Sequence, residues 1–425
     1  MNHEDNELLC RVGPGTAMGQ VVRRYWVPAF PSVRLPMQDS DPIRVRLFGE
    51  NYVAFRGSDG TIGFLDEACP HRGAPLVLGN QEDCAIRCLY HGWKIGADGT
   101  ILETPNAEAS SLRKGLKANA YPTVESHGLV WVYLGPESEA PPRPVYSWES
   151  EKPEHTLVVD VDLDCNWVQV LEGLLDSAHA GILHTDILKK FPPKMRAEAD
   201  AMKRGLLPRL EMERTDFGLH YAAIRANAGS TEDMDQVRIT AYAAPFVTFI
   251  PSGGMAFIPV PIDDTHTKFY NLWWDSEQRL DTGPGHEHRL DMWGLTEEIL
   301  NMTGMAPVMP PVGEIGRRNV WPQDRAAMRA GESFTGLPGI TAEDAALAVG
   351  MGPILDRSRE NLVASDIVIS RTRRMLLKEA KAALSGGASS QWQSGKTPSH
   401  AITAASGDLP PGTDWRDMVS DHVAT

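Results

Sequence analysis

The chain has no run of 18 apolar residues, so the sequence offers no membrane-spanning helix. Its first residues, MNHEDNELLCRVGPG, lack both the basic stretch and the apolar core of a secretory signal. Positive charge is in deficit: 41 Lys and Arg against 56 Asp and Glu leave a net charge of −15. A general nucleic-acid binder needs a basic footprint, so that class is disfavoured. Cysteine is scarce. Cys10, Cys69, Cys84, Cys88 and Cys165 are too few and too unevenly spaced for a disulfide framework. These absences lead us to expect a cytoplasmic protein with no membrane or nucleic-acid partner. Clustered cysteines in such a setting bind metal or do chemistry. No internal repeat is evident, and 425 residues suggest two to three domains at about 100–200 residues each.

What is present falls into four stretches. Residues 1–40 read as a short helical and extended segment. Residues 41–140 hold short runs with partial two-residue alternation, separated by the turn signals Gly57–Gly60 and Ala97–Gly99, the pattern of a small all-β domain. A bridge containing Pro136, Pro141, Pro142 and Pro144 marks a boundary near 140. Residues 141–384 read as α+β, with a helix over about 166–184, antiparallel strands in 208–226, 236–250 and 254–275, and helices at 286–302 and 358–384. A Pro/Gly-rich segment occupies 303–340. From 385 a Ser/Gly/Ala-rich tail reads as loosely packed or surface-hugging.

One constellation lies in the β-rich stretch. Cys69 and His71 form C-x-H, and Cys88 and His91 form C-x2-H sixteen residues later. Each loop thus offers one thiolate and one imidazole. A structural zinc site would accept the four donors, but zinc usually takes both cysteines from one loop and both histidines from another. Buried cysteines with satisfied histidines are the plainest alternative. However, Pro70, Gly73, Pro75, Gly92 and Trp93 mark two tight loop tips rather than a strand interior. A Rieske [2Fe–2S] cluster needs two Cys on one iron and two His on the other, which mixed loops supply directly. Cys84 falls between the loops and reads as a packing residue.

A second constellation is D176-x2-H179-x4-H184. Asp176 and His179 share a helix face. His184 lies about 140° further round, at ~3.6 residues per turn. The two histidines therefore meet one ion only if the helix breaks between them, and Gly181 is the expected break. Two histidines and one carboxylate with open positions make a site for non-heme Fe(II) and O2. The third ligand must be distant, with Asp324, Asp344, Asp356 and Asp366 as candidates.

Together these motifs resemble the oxygenase component of Rieske non-heme iron aromatic ring-hydroxylating oxygenases. The stretch from Arg325 through Gly331, Asp344 and the M-G-P-I turn to Glu360 resembles the phthalate dioxygenase group in particular. The resemblance implies a Rieske domain followed by a helix-grip-like catalytic domain, and it selects Asp344 as the third iron ligand. Family members often show Gln before that aspartate. Here Glu343 would bring extra negative charge beside the iron. Asp356, Arg357 and Glu360 read as an ion-paired structural cluster. The resemblance also implies that Asp176 bridges by hydrogen bond from an iron histidine to His91 or His71 of another chain, within a homotrimer.

The implied activity is that of a terminal oxygenase. A separate reductase, with or without a ferredoxin, would pass electrons from NAD(P)H through the cluster to iron and O2. Phthalate-group enzymes take aromatic acids, and a carboxylate calls for arginine. Arg209, Arg225 and Arg238 on the expected sheet are the candidates. Phe246, Phe249, Phe257, Trp273 and Trp274 are mostly expected in the core. The expected reaction is oxygenation of an aromatic carboxylic acid by O-demethylation, with cis-dihydroxylation second. A Rieske electron carrier is the rival of another class, but it would not need some 280 further residues. A zinc hydrolase would not need the redox cluster.

Overall fold

The computed structural model describes all residues except 109–111, 113, 188, 190–192, 232, 252, 308–318, 388–390, 394 and 421–425. Part of the expected Pro/Gly-rich segment therefore lies outside the described residues. Two helices open the chain, α1 (His3–Cys10) and α2 (Ala17–Val22). Asn2 and Thr16 cap them, accepting from the N–H of Asp5 and Gly19. Ten short strands follow: β1 (Val27–Pro31), β2 (Ile43–Leu47), β3 (Glu50–Arg56), β4 (Ile62–Asp66), β5 (Asn80–Glu82), β6 (Ala85–Arg87), β7 (Lys94–Gly96), β8 (Ile101–Glu103), β9 (Thr123–Ser126) and β10 (Leu129–Val132). They form three antiparallel sheets, ordered β1-β10-β9, β2-β3-β4 and β5-β6-β7-β8. Pairing of β1 with β10 draws residues before 41 into the N-terminal β-rich unit.

The second unit is α+β. It runs through β11 (Thr156–Leu163), α3 (Trp167–Leu175), α4 (Ala180–Leu183) and α5 (Pro193–Arg204). A meander follows: β12 (Arg209–Arg214), β13 (Gly218–Arg225), β14 (Asp235–Ala243), β15 (Val247–Phe249), β16 (Met255–Pro261) and β17 (Thr267–Trp274). Then come α6 (Pro284–Trp293), α7 (Glu297–Thr303), α8 (Arg325–Ala330), α9 (Ile340–Gly350), α10 (Ile367–Leu384), β18 (Ala405–Leu409) and α11 (Asp417–Ser420). One antiparallel sheet is ordered β11-β17-β16-β15-β14-β13-β12, with β18 added beside β14. Strands β14 and β16 are buried along their whole length, because both sheet faces are covered. β16, MAFIPVP, accordingly reads as a continuous apolar run, whereas β14, DQVRITAYA, still alternates, with Gln236, Arg238 and Thr240 on one face.

Several boundaries differ from the sequence expectation. The helix expected at 286–302 divides into α6 and α7 at Gly294, whose φ of +70° ends α6 in the left-handed conformation. The run expected from 358 becomes a continuous helix only at Ile367. Before it, Asp356 and Asp366 accept from the backbone N–H of Ser358 and Val363 and favour isolated turns. The segment after 385 is not loosely packed. Trp392, Ile402 and Trp415 are buried, Trp392 stacks on Tyr25, and β18 pairs with β14. A few large apolar residues in a polar stretch are enough to anchor it.

Helix α3 positions the site. Asn166 caps it by accepting from the Val168 N–H, while its amide donates to the carbonyls of Cys10 and Asp264. One turn on, Gln169 donates to the carbonyls of Ala348 and Gly352 and accepts from the Leu355 N–H. That clamp ties α3 to the turn after α9. Glu172 then holds two buried arginines, Arg357 and Arg373, and Arg373 also reaches Glu360. Arg357 and Glu360 thus belong to the ion-paired cluster expected for them. Asp356 does not; it caps the turn at 357–359.

Candidate cluster loops, iron site and cavity

The two Cys/His loops are near copies of each other. In the first, the Cys69 N–H donates to Ala74 and the Gly73 N–H donates back to Cys69. In the second, the Cys88 N–H donates to Trp93 and the Gly92 N–H donates back to Cys88. Gly73 and Gly92 take φ of +75° and +73°, a conformation that favours glycine. Each loop thus curls its own backbone around one cysteine. Both thiols are buried, and burial pushes Cys69 up to about 11, against the pull of the His71 and Arg72 N–H groups. The rings of His71 and His91 lie 4.6 Å apart at the loop tips, and the Trp93 indole stacks on His71. Cys84 stands apart, beside Gly57.

Among the described residues, the three donors gathered so that they could hold one ion are His179, His184 and Asp344, all within 4.8 Å of one another.

The second set gathers residues 160 positions apart. Helix α3 ends at Asp176, whose backbone is extended, and α4 spans only Ala180–Leu183. His179 and His184 cap its two ends, and the turn between them is continuous, the His179 carbonyl accepting from the N–H of Ile182 and Leu183. The break expected between the histidines is absent: the helix breaks before both, at 176–179, and not at Gly181. Gly181 has a different reason: a Cβ there would lie 2.6 Å from the Met202 carbonyl of α5. The His179 Nε2 and His184 Nε2 lie 3.6 and 3.2 Å from Asp344 Oδ1. Of the other candidate carboxylates, Asp324 caps α8, Asp356 caps the turn at 357–359, and Asp366 bonds the Val363 N–H.

Carboxylates also stand behind both imidazoles. Asp176 Oδ2 lies 3.5 Å from His179 Nδ1, and Glu343 Oε2 lies 2.7 Å from His184 Nδ1. Glu343 accepts a further bond from Thr335 Oγ1 at 2.7 Å. Glu343 therefore turns away from Asp344 and orients His184, the usual arrangement behind a metal-bound imidazole. The sequence expectation missed this role, although an acid beside a candidate ligand was a signal for it. Burial pulls His184 down, but Asp344 and Glu343 outweigh it and hold the imidazole at about 10. Asp176 stays below the usual carboxylate range: burial opposes this, and His179 and the backbone N–H groups prevail.

His179, His184 and Asp344 open on a cavity of about 110 Å3. Its sheet side carries Tyr221, Arg238, Thr240, Phe257, Phe269 and Asn271, and Trp293 of α6 closes an apolar corner 5.4 Å from Phe257. Arg238 is the only one of the three candidate arginines on the cavity wall, where it pairs with Glu198 of α5. Arg225 is buried behind it, donating to the carbonyls of Gly205 and Ser177, so it braces the bend after Asp176. Arg209 lies exposed on β12 and pairs with Glu211. Phe246 and Phe249 lie in the core, as expected for most of the aromatics, whereas Phe257 lines the cavity.

Comparison with known proteins places this arrangement. A family model described as the Rieske [2Fe-2S] domain matches residues 25–122, and one described as LigXa C-terminal domain like matches residues 132–425. The oxygenase subunit of phthalate 4,5-dioxygenase from Pseudomonas putida is 37% identical over 99% of this chain and 95% of its own length. The chain belongs to the Rieske non-heme iron oxygenases. The oxygenase subunit of 3-chlorobenzoate-3,4-dioxygenase from Comamonas testosteroni is 33% identical over 98% of this chain and 92% of its own. The oxygenase subunit of 5,5'-dehydrodivanillate O-demethylase from a Sphingobium strain is 29% identical over 89% of this chain and 80% of its own. Among solved structures, dicamba monooxygenase bound to dicamba aligns with a TM-score of 0.57 at 17% identity, covering 86% of this chain and 99% of that one. At that identity the likeness shows the fold of this oxygenase, helices around an antiparallel sheet behind a Rieske domain. Among the described residues no helix is long and apolar enough to cross a membrane.

Proposed function

We propose that this oxygenase subunit oxygenates a single-ring aromatic carboxylic acid in the cavity between α3, α9 and the sheet. The observation that carries this reading is the cavity itself, which joins His179, His184 and Asp344 to one arginine and an aromatic wall. Its volume is on the scale of the ~150 Å3 cavity that admits benzene. In this reading Arg238 receives the substrate carboxylate, while Phe257, Phe269 and Trp293 hold the ring. Cys69, His71, Cys88 and His91 would hold the [2Fe–2S] cluster, and His179, His184 and Asp344 the mononuclear iron. When bound, these groups supply electron storage and O2 activation, fed from NAD(P)H through a reductase.

The chain's own residues do the rest. Glu343 fixes the His184 ring, Arg225 holds the carbonyl of Ser177, and the apolar wall excludes water from the cavity. Asp176 keeps one oxygen toward His179. As the connection between sites, it would accept from His91 of the partner subunit, or from His71, in a homotrimer.

Two reaction outcomes compete. Ring cis-dihydroxylation is the reading favoured here, because two relatives matched along almost the whole chain are named as aromatic-acid dioxygenases. O-demethylation, the outcome favoured by the sequence alone, stands second on the relative named as an O-demethylase. The test is a reductase-supplied incubation under 18O2 with phthalate, benzoate and methoxybenzoates. A dihydrodiol carrying two labelled oxygens supports the first reading, and formaldehyde release supports the second. Neither product from any aromatic acid overturns both.

A further inference from the structure

We propose that Asn271, assisted by Thr341, forms a subsite that accepts a hydrogen bond from a hydroxyl on the substrate ring. The subsite lies across the sheet from Arg238. The inference deepens the aromatic-substrate reading given above and rests on it.

Asn271 sits in β17 with no exposed surface, between Phe269 and Trp273 on one strand face. Its amide nitrogen donates to the carbonyls of Val159 and Phe269, both at 3.3 Å. Carbonyl oxygens only accept, so these two contacts fix which end of the amide is which. Oδ1 must face the other way. Asn271 is one of the residues lining the cavity, and its Oδ1 is buried with no hydrogen-bond partner among the described residues. The Thr341 hydroxyl is in the same condition. It is buried on α9, three residues before Asp344, and also lines the cavity without a partner.

The surroundings make this more than a stray polar atom. The neighbouring cavity wall is apolar, with Ile250, Met255, Phe257, Phe269 and Trp293. Two further polar groups of the cavity, Tyr221 and Thr240, are bonded to each other. A buried carbonyl oxygen accepts and cannot donate, so it rejects a carboxylate and favours a hydroxyl. The carboxylate then belongs at Arg238. Strand β17 is separated from β14 by β16 and β15, about three strand spacings of ~4.8 Å, and the pairing sets Asn271 level with Tyr242, four residues along β14 from Arg238. The two polar groups thus stand at separate ends of the cavity, so the hydroxyl that Asn271 would accept from is one far from the carboxylate. A ring hydroxyl that reaches Oδ1 supplies the missing hydrogen bond, whereas a ring hydrogen or methyl does not.

The experiment is equilibrium binding of five ligands to the anaerobic, metal-loaded enzyme by calorimetry: toluene, phenol, benzoate, 3-hydroxybenzoate and 4-hydroxybenzoate. A plain apolar cavity prefers toluene to phenol. The proposal expects phenol to bind at least about tenfold more tightly than toluene. It also expects the better hydroxybenzoate to bind at least about tenfold more tightly than benzoate. Asn271→Ala should abolish both preferences while leaving toluene affinity within about threefold. Thr341→Val, nearly equal in shape, should reduce them without disturbing the strand. Equal affinities in the wild type overturn the proposal, as does a preference that survives in both variants. Failure of the aromatic-acid reading looks different. Benzoate would then bind no better than toluene, and Arg238→Leu would change neither, while the phenol-to-toluene ratio still judges Asn271.

Discussion

The loop tips and the cavity each present a pair of histidines, and the protein surrounds the two pairs in opposite ways. At the tips, burial, His71 and Arg72 together hold His91 below the ordinary imidazole value. In the cavity, Asp344 and Glu343 overcome burial and hold His184 at about 10. No carboxylate is among the causes at His91, whereas Asp344, Glu343 and Asp176 surround the second pair. The difference follows from what each site would bind. A [2Fe–2S] cluster brings sulfide and thiolate charge of its own, so neutral or cationic surroundings favour its reduction. A lone Fe(II) between two neutral imidazoles needs anionic charge from the protein.

Removing the carboxylate proposed to hold the iron in the cavity is expected to break this division most severely. Asp344→Ala should eliminate the mononuclear iron and lower oxygenation by about 10^3-fold or more, since the activating metal is lost. The cluster's absorption and EPR signals should stay unchanged. Iron analysis beside EPR checks both halves. Loss of the cluster signal in this variant would show that the two regions are not independent. Asp176→Asn comes next, with an expected loss of about 10–100-fold, the usual cost of altering the partner of a liganding imidazole. Both metals should be retained, and the rate of cluster reoxidation in a single turnover should fall. Normal reoxidation with a lower iron content would assign Asp176 to metal retention alone.

The third effect is set by a proton. His184 must lose its proton to take a metal, and its value in the metal-free protein is raised to about 10. A raised value means that the protonated form persists as pH rises, up to about 10. Metal uptake should therefore weaken by about tenfold for each pH unit below 10, one proton being displaced per ion. Titration of the metal-free protein with Co(II) between pH 6 and 9 checks the slope. Glu343→Gln removes one of the groups that raise His184, so the same curve should shift to lower pH. Its upper limit should fall by about tenfold, because the carboxylate behind the imidazole is gone. A flat profile would show that His184 is already neutral before the metal arrives.

The same contrast explains what the sequence made legible. The cluster loops are local: Cys69 and His91 are 22 positions apart, and each tip is written as Cys, His and Gly at fixed offsets. A reader needs only a short window to find them. The iron set joins His184 to Asp344 across the whole sheet, and only a family resemblance could select Asp344 from four aspartates. A break between the histidines was expected at Gly181, but the helix breaks before both of them, because one glycine can signal either a bend or a close helix approach. Here it marks the approach of α5. The three arginines were chosen by their place on the expected sheet, without ranking. That cannot distinguish Arg238 on the cavity wall from Arg225 behind it, since both are buried on adjacent strands. Asn271 carried a usable signal, an amide between Phe269 and Trp273 on an otherwise apolar strand face. Its meaning depended on knowing which of its atoms lacks a partner.

The smallest expected effect tests the cationic side of the comparison. Arg72 adjoins His71, and its guanidinium lies 5.5 Å over the Tyr90 ring of the other loop, at an exposed tip. A cation beside the cluster favours its reduced, more negative state. Arg72→Gln should therefore lower the reduction potential. Water screens the charge, so the interaction is on the order of 0.5–1 kcal/mol, or about 20–40 mV for a one-electron couple. Added salt should shrink the difference between the two proteins further, since the charge is exposed. A potential unchanged at low salt would leave burial and the His71–His91 contact as the causes of the low His91 value. The opposition between the two histidine pairs would then come from the carboxylates of the cavity alone.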